Sequence, residues 1–370
     1  DFEEYTFGEW FEIWMKLYLV GTLKATTIRN YRDAFKRVSS ISNEKLNQIT
    51  SNHIQYVINE LYRQGYAKST IRSTYGMLIS CFKRAVSSRI ILYNPCDGVV
   101  ITEKKDFTPK KKEDIEMKKR ISDEKLTLFF ELARGTRYVE FFYILLHTGM
   151  RVGEACALEW KDIDTKKKCI HVYKTINTTM IYYDQDGNKL VNPYNTHQIT
   201  TPKREASNRV IPITDSVIEA FQTWRKKQKN DQNTKGEDWG KNNALLGKYP
   251  GLVFTTSTGN CCLPSTVIHE CKRLTLRMNH VLKKKSEAEG CPYKEAHIYP
   301  HAFRHTFTTR CYEAGMNPGS IMLIIGHANL SMTEYYTHPG DAFIKKEFEK
   351  YKESQNEGKQ AGETDMQRNV

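Results

Sequence analysis

Between Glu103 and Arg120 the hydrophobic pattern of the chain stops. The stretch KKDFTPKKKEDIEMKKR is charged along most of its length, holds one proline and shows no apolar period. Such a segment has no face to bury, so no single core can run through it. On both sides of it apolar residues recur at helical spacing. The 370 residues therefore read as a helical domain over 1–102, a basic linker over 103–120 and a larger domain from 121 onward. The linker lysines, Lys104 and Lys105 among them, serve either as a solvated tether or as contacts along a polyanion backbone.

The first hundred residues spell a small bundle. Thr6 and Glu9 form a capping box, and Phe7, Trp10, Phe11, Trp14, Leu17 and Tyr18 follow at helical spacing. A second helix is expected near Thr26 or Thr27, with Ile28, Tyr31, Phe35 and Val38 inward and Arg29, Arg32 and Lys36 on its polar face. A third runs from about Ser51 and a fourth from about Ser69, and Asn94-Pro95 closes the bundle. KATTIRNY and KSTIRSTY echo each other. Each sets a lysine, a hydroxyl cap, an isoleucine and an arginine at a helix start. A helix N-terminus offers free N–H groups and a positive dipole end, so Lys24, Thr27, Arg29, Arg32, Lys68, Thr70 and Arg72 are candidate phosphate contacts. The bland reading is ordinary caps beside solvated cations. The net charge of +13 favours an anionic partner, nucleic acid before an anionic membrane.

The larger domain opens at Ser122, an N-cap followed by Asp123 and Glu124. Its helices carry Leu126, Phe129 and Phe130, then YVEFFYILLHTGM. CIHVYKTI and RVIPI read as strands, and Asp186-Gly187 in the long segment between them signals a hairpin turn. The segment over about 174–202 exceeds a simple hairpin. It is expected as a β-insertion reaching along a ligand or a neighbouring subunit, or else as a loose surface hairpin. The fold class is therefore mainly α with a small antiparallel sheet. Residues 341–370 read as a helix edged by Phe343, Ile344 and Phe348, followed by a polar tail.

Other classes are set aside. No apolar run reaches the ~18 residues that span a bilayer. DFEEYTFGEW lacks the layout of a secretory signal, and a first residue of Asp1 suggests that a preceding segment was removed. The nine cysteines are odd in number and include no C-x-x-C pair, which fits a reducing cytoplasm and no structural metal. Cys261, Cys262, His269 and Cys271 are their densest group and are read as buried or incidental thiols.

Four patches concentrate cations and nucleophiles: HTGMRVGEACALEW, TPKREASNRVIPI, YPHAFRHTFTTRCYEAG and IIGHANLSMTEYYTH. His301 and Arg304 lie three apart and share a helix face. Pro300 suits the first turn of that helix and Gly315 its end, while Asn317-Pro318 starts a further helix that stops near Gly326. Together the patches spell R-x-G-E, a lysine before a strand with R-x-I-P, H-x-x-R-H-T-F, G-H and Y-T-H. In this order and spacing they resemble the tyrosine recombinase (phage integrase) family. The likeness is closest in flavour to integrases of conjugative transposons and of temperate phages of Gram-positive bacteria.

The resemblance implies a helical, SAM-like core-binding domain and an α+β catalytic domain over 121–340, forming a C-shaped clamp on DNA. It implies a site-specific recombinase that cuts and rejoins DNA through a 3′-phosphotyrosine, without metal, ATP or any other cofactor. In that scheme Tyr336 is the nucleophile, Arg151 and Arg304 stabilise the phosphorane-like charge, and Lys203 is the general acid. His301 and His327 contact the phosphate, and Glu154 orients the site. Lys189 is a rival lysine. Arg204 and Arg209 are left as backbone or structural contacts. The implied partners are double-stranded DNA core sites, a homotetramer on two duplexes, an excisionase and host DNA-bending proteins, with no membrane. The implied setting is the bacterial cytoplasm and its nucleoid, and the implied task is integration or excision of a mobile element. A type IB topoisomerase and a catalytically silent DNA-binding regulator remain the alternatives.

Overall fold

The computed structural model describes residues 5–101, 120–184, 187–201, 208–241 and 243–326. Lys104, Lys105, Lys203, Arg204, His327, Tyr336 and the segment 341–370 lie outside the described residues. Two compact units emerge. One joins the N-terminal bundle to residues 178–198; the other takes the described residues of 120–177 and 199–326.

In the first unit, α1 (Phe7–Trp14) begins with the expected capping box: Glu9 N donates to Thr6 Oγ1 at 3.2 Å and Thr6 N to Glu9 Oε2 at 2.8 Å. It runs on as a π-helical turn, Met15–Leu19. Next come α2 (Ala25–Arg37), α3 (Ser51–Arg63) and α4 (Lys68–Ser87). Their apolar faces meet in an aromatic core, with Phe11 stacked on Phe35 at 4.1 Å and Phe7 on Phe82 at 5.1 Å. The starts of α2 and α4 correct the sequence reading. Their N-caps are Lys24 and Ala67, neither giving a side-chain cap, so Thr26, Thr27, Ser69 and Thr70 sit inside the first turn.

The insertion is an ordered element. Strands β3 (Thr175–Tyr183) and β4 (Lys189–Thr200) form a two-stranded sheet. Its turn is closed by Asp184 N donating to Asn188 O at 2.9 Å and Asn188 N to Asp184 Oδ1 at 2.7 Å. Tyr183 near the turn joins the bundle core. Here Arg32 departs from its expected place on a solvated, DNA-facing side. It is only 6% exposed. Its guanidinium donates to both carboxylate oxygens of Glu12 and to the Tyr183 hydroxyl, and lies 5.0 Å from the Tyr183 ring centre and 5.4 Å from that of Phe11. Lys189 Nζ adds a 2.9 Å contact to Glu12 from the other strand. A buried arginine needs such a carboxylate, and here both terminal nitrogens of Arg32 are engaged by Glu12 and Tyr183.

The second unit contains α5 (Asp123–Ala133), α6 (Val139–Thr148) and the short α7 (Val152–Cys156). A three-stranded antiparallel sheet follows in the order β1 (Ile163–Asp164), β2 (Cys169–Val172), β5 (Arg209–Pro212). Its register pairs Ile170 with Ile211 and Val172 with Arg209. The strand expected over CIHVYKTI breaks after Val172, where Lys174 turns inward to Glu159 and to Asp162, the latter at 2.8 Å. Helices α8 (Asp215–Lys235), α9 (Ala244–Lys248), α10 (Pro264–Glu289), α11 (Pro300–Glu313) and α12 (Pro318–Ile325) follow among the described residues of the unit. Phe129, Phe142 and Phe303 meet at 5.3 to 5.6 Å between ring centres, which seats α11 against α5 and α6.

Candidate active site

α11 carries the H-x-x-R residues as expected, with Tyr299 as its N-cap and Pro300 in its first turn. Phe303 points into the core, so its neighbour Arg304 leaves the helix on another side. Arg304 is 2% exposed. Its Nη1 donates to Gly149 O at 2.7 Å and its Nη2 to Ile325 O. His301, one turn earlier, is exposed, and its ring stands edge-on to His305 at 4.7 Å.

Arg151 ends the connection from α6 and is the N-cap of α7. Two glycines let it sit there. Gly149 closes α6 with φ +63°, and a Cβ on it would meet the Phe307 ring at 2.5 Å. A Cβ on Gly153 would meet Thr175 Oγ1 at 2.7 Å and Ile176 O at 2.9 Å, so α7 packs against β3 only without a side chain there. The glycine of R-x-G-E thus has a steric cause.

Glu154, three residues on, is 4% exposed and accepts four hydrogen bonds. Arg151 N and Nη1 donate at 2.9 and 2.8 Å. Arg209 donates through Nη1 at 3.1 Å and Nη2 at 2.8 Å. Burial alone would raise the carboxyl pKa. The hydrogen bonds and charge of Arg209, then the charge of Arg151, outweigh it and hold Glu154 below the usual carboxylate range. Glu154 thus lies against both Arg151 and Arg209.

The arginines converge on one helix end. α12 starts at the expected Asn317 cap, whose side chain accepts from Gly319 N and Ser320 N, and stops at Gly326 in the left-handed region. Its last carbonyls have no partner within the helix. Arg209 Nε donates to Ile324 O at 2.6 Å, Arg304 to Ile325 O, and Arg151 Nη2 to Gly326 O at 3.2 Å. Three guanidiniums cap three consecutive carbonyls that immediately precede His327 in sequence. A helix C-terminus carries partial negative charge, which suits cations there.

Two lysines near the strands are otherwise engaged. Lys174 is buried between Glu159 and Asp162. Burial alone would lower its pKa, but these partners hold it above the ordinary lysine value, the wrong direction for a proton donor. Lys189 pairs with Glu12 in the first unit. Of the expected DNA contacts, Lys24 and Arg72 are exposed, Thr27, Lys68 and Thr70 are half-buried, and Arg29 faces Asp33 at 3.6 Å. Cys261, Cys262 and Cys271 are buried, and burial pushes the Cys261 and Cys271 thiols up to about 12. Among the described residues no group of three or more His, Cys, Asp or Glu could hold a metal ion, and no helix is long and apolar enough to cross a membrane.

Sequence reasoning left Arg209 as a backbone or structural contact without naming its partners. Its R-x-I-P context gave the signal, but a strand arginine alone does not reveal a carboxylate 55 residues upstream and a carbonyl 115 residues downstream.

Comparison with known proteins agrees with this geometry. Residues 120–342 match the phage integrase family, and residues 6–62 match the phage integrase N-terminal SAM-like domain. A tyrosine recombinase XerC-like protein of Caldanaerobacter subterraneus subsp. tengcongensis is 30% identical over 91% of this chain and 80% of its own length. The transposase from transposon Tn916 of Enterococcus faecalis is 27% identical over 74% of this chain, which spans 59% of that transposase. Among solved structures, the Tn1549 transposon integrase in complex with a circular intermediate DNA shares the fold. It has a TM-score of 0.67 and 22% identity, and the match covers 94% of this chain and 99% of that one. With its arginines gathered at one helix end and both halves of the family present in order, the chain belongs to the phage integrase family of tyrosine recombinases, enzymes of site-specific DNA recombination.

Proposed function

We propose that this recombinase cuts and rejoins double-stranded DNA core sites through a 3′-phosphotyrosine, to integrate or excise a mobile element. The observation that carries the reading is the convergence of Arg151 and Arg304 on the end of α12, with His301 one turn from Arg304 and His327 next in sequence. A phosphodiester repels an attacking oxyanion, and its transition state gathers charge on the non-bridging oxygens. Fixed guanidiniums are matched to that charge. Tyr336 Oη attacks phosphorus, the P–O5′ bond breaks, and Lys203 gives the departing oxygen its proton while His301 and His327 hold the phosphate and receive the tyrosine proton. A 5′-hydroxyl from the partner strand reverses the step. The ester keeps the bond energy, so neither ATP nor metal is consumed.

Lys24, Thr27, Arg29, Lys68, Thr70 and Arg72 contact backbone phosphates from one lobe. Lys104 and Lys105 follow the duplex toward the other, where residues 121–340 act. The uncapped starts of α2 and α4 support this, because their first N–H groups receive no side-chain cap. Arg32 takes no part. Exchange of strands between two duplexes needs four nucleophiles, hence a homotetramer in which the segment after Gly340 docks on a neighbour. Excisionase and host bending proteins set direction, and the work takes place on nucleoid DNA in the bacterial cytoplasm.

The test has two stages. Covalent adducts formed on fragmented DNA of a host carrying the element are isolated and their DNA sequenced. A nicked duplex of the recovered sequence is then offered to the protein. A covalent band on a denaturing gel that Tyr336→Phe removes is the expected result. No band from the parent favours a silent regulator, and relaxation of supercoiled plasmid lacking the site favours a topoisomerase.

A further inference from the structure

We propose that Arg209 is a positioning residue for cleavage: it neutralises Glu154 and ties it to the end of α12, leaving the charge of Arg151 available to a phosphate. The inference rests on the proposed role of Arg151.

Arg209 has its forked donors on Glu154, whereas Arg151 keeps part of its side chain open to solvent. The Arg209 side chain is 4% exposed, against 38% for Arg151. Its donors point inward: Nη1 and Nη2 form a fork on the two Glu154 oxygens, while Nε reaches Ile324 O. The fork is the strong, planar form of this contact and specifies orientation. Its place is fixed by the sheet, since Arg209 pairs with Val172 at the start of β5.

The charge count makes the role specific. Within the Arg151–Glu154–Arg209 triad two guanidiniums and one carboxylate leave one net positive charge, with Arg304 a further cation at the same helix end. Without Arg209, Glu154 faces Arg151 alone at 2.8 Å, and the pair is neutral. A neutral pair has little to offer a phosphorane-like charge. Ile324 O would also lose its donor, at the helix end that leads directly into His327. Arg209 thus acts on both Arg151 and the α12 terminus without touching DNA.

The experiment compares parent, Arg209→Met, Arg209→Lys, Glu154→Gln and the Arg209→Met/Glu154→Gln double variant on the recovered nicked duplex. Single-turnover covalent-complex formation is measured beside core-site affinity by gel shift. Arg209→Met should slow cleavage by about 30-fold or more while affinity stays within about threefold. Adding Glu154→Gln restores the single net charge and should recover about tenfold of the loss, whereas a merely structural arginine predicts that two lost anchors are worse than one. Arg209→Lys keeps the charge and loses the fork, so its slowing should stay under about tenfold.

Parental cleavage by Arg209→Met overturns the proposal, as does a double variant no faster than the single. Should circular dichroism show Arg209→Met unfolded, Arg209→Lys decides: a loss of about 30-fold or more overturns the charge-balance role. If the parent forms no covalent complex, the recombination chemistry has failed, not this inference.

Discussion

At the scale of single residues, the candidate site is a set of guanidiniums anchored on fixed carbonyls, Arg304 and Arg209 buried and Arg151 partly exposed. Arg304 bridges Gly149 O and Ile325 O, a span that a lysine cannot copy. Arg304→Lys should therefore cleave a nicked core site about 100-fold more slowly or worse, with affinity for the duplex nearly unchanged. Quantifying covalent complex against time on denaturing gels checks this. The motif residues around it were legible because R-x-G-E and H-x-x-R state both identity and spacing. Arg32 was not. On α2 it occupies the polar stripe beside Arg29, where a cation reads as solvated. Its burial depends on Tyr183, 151 residues away, which arrives on another element. The same blindness hid the partners of Arg209, which come from α7 and α12. Local pattern shows which face a residue sits on, but only tertiary contact shows what covers that face.

At the scale of elements, packing distances set what can change. Gly153→Ala places a methyl 2.7 Å from Thr175 Oγ1 and 2.9 Å from Ile176 O, and one of these atoms is backbone. Destabilisation by about 1–3 kcal/mol is expected, read from denaturant midpoints. The hairpin offers a second test. Arg32→Met leaves the half-buried Glu12 with Lys189 and frees the hydroxyl of Tyr183, so amide exchange over 178–198 should accelerate, consistent with a loss of about 1.5–3 kcal/mol for a charged hydrogen bond. Lys189→Ala removes an exposed partner of the same carboxylate and should change exchange by a few tenths of a kcal/mol, ~0.5 at most. The helices themselves were readable, since Ile54, Val57, Ile58 and Leu61 of α3 form the buried stripe their spacing announces. The strand over CIHVYKTI was read too long because Tyr173 and Lys174 continue its alternation while Lys174 is drawn to two acids.

At the scale of the whole molecule, charge governs two observables. The first is salt dependence. Each cation that meets a phosphate releases a counterion, so Lys68→Ala should lower the log–log salt slope of core-site binding by about one, while Arg32→Met leaves the slope as it is. The second is acid stability. Glu12, Glu154 and Glu159 are each buried enough to raise their pKa, yet cationic partners hold all three below the usual glutamate value. A depressed native pKa stabilises the fold at every pH above the unfolded value of ~4.3, and that stabilisation is lost as the pH falls through the native value. The unfolding temperature should be flat from about pH 8 to 5 and fall below about pH 4. Glu154→Gln should lower it at pH 7 and make the acid decline shallower, measured by scanning calorimetry across pH.

The hairpin that seats Arg32 also sets a timetable. The N-terminal unit includes residues 178–198, which lie beyond the linker in sequence. On the ribosome the four bundle helices emerge long before Tyr183, and at about 5–20 residues per second the nascent bundle waits several seconds for its last element. Through that interval Arg32 and Glu12 lack the Tyr183 hydroxyl and Lys189. A gene cut at the linker would yield a bundle that never receives its final piece, and a chain whose hairpin met another molecule's bundle first would be joined to it by an exchanged element.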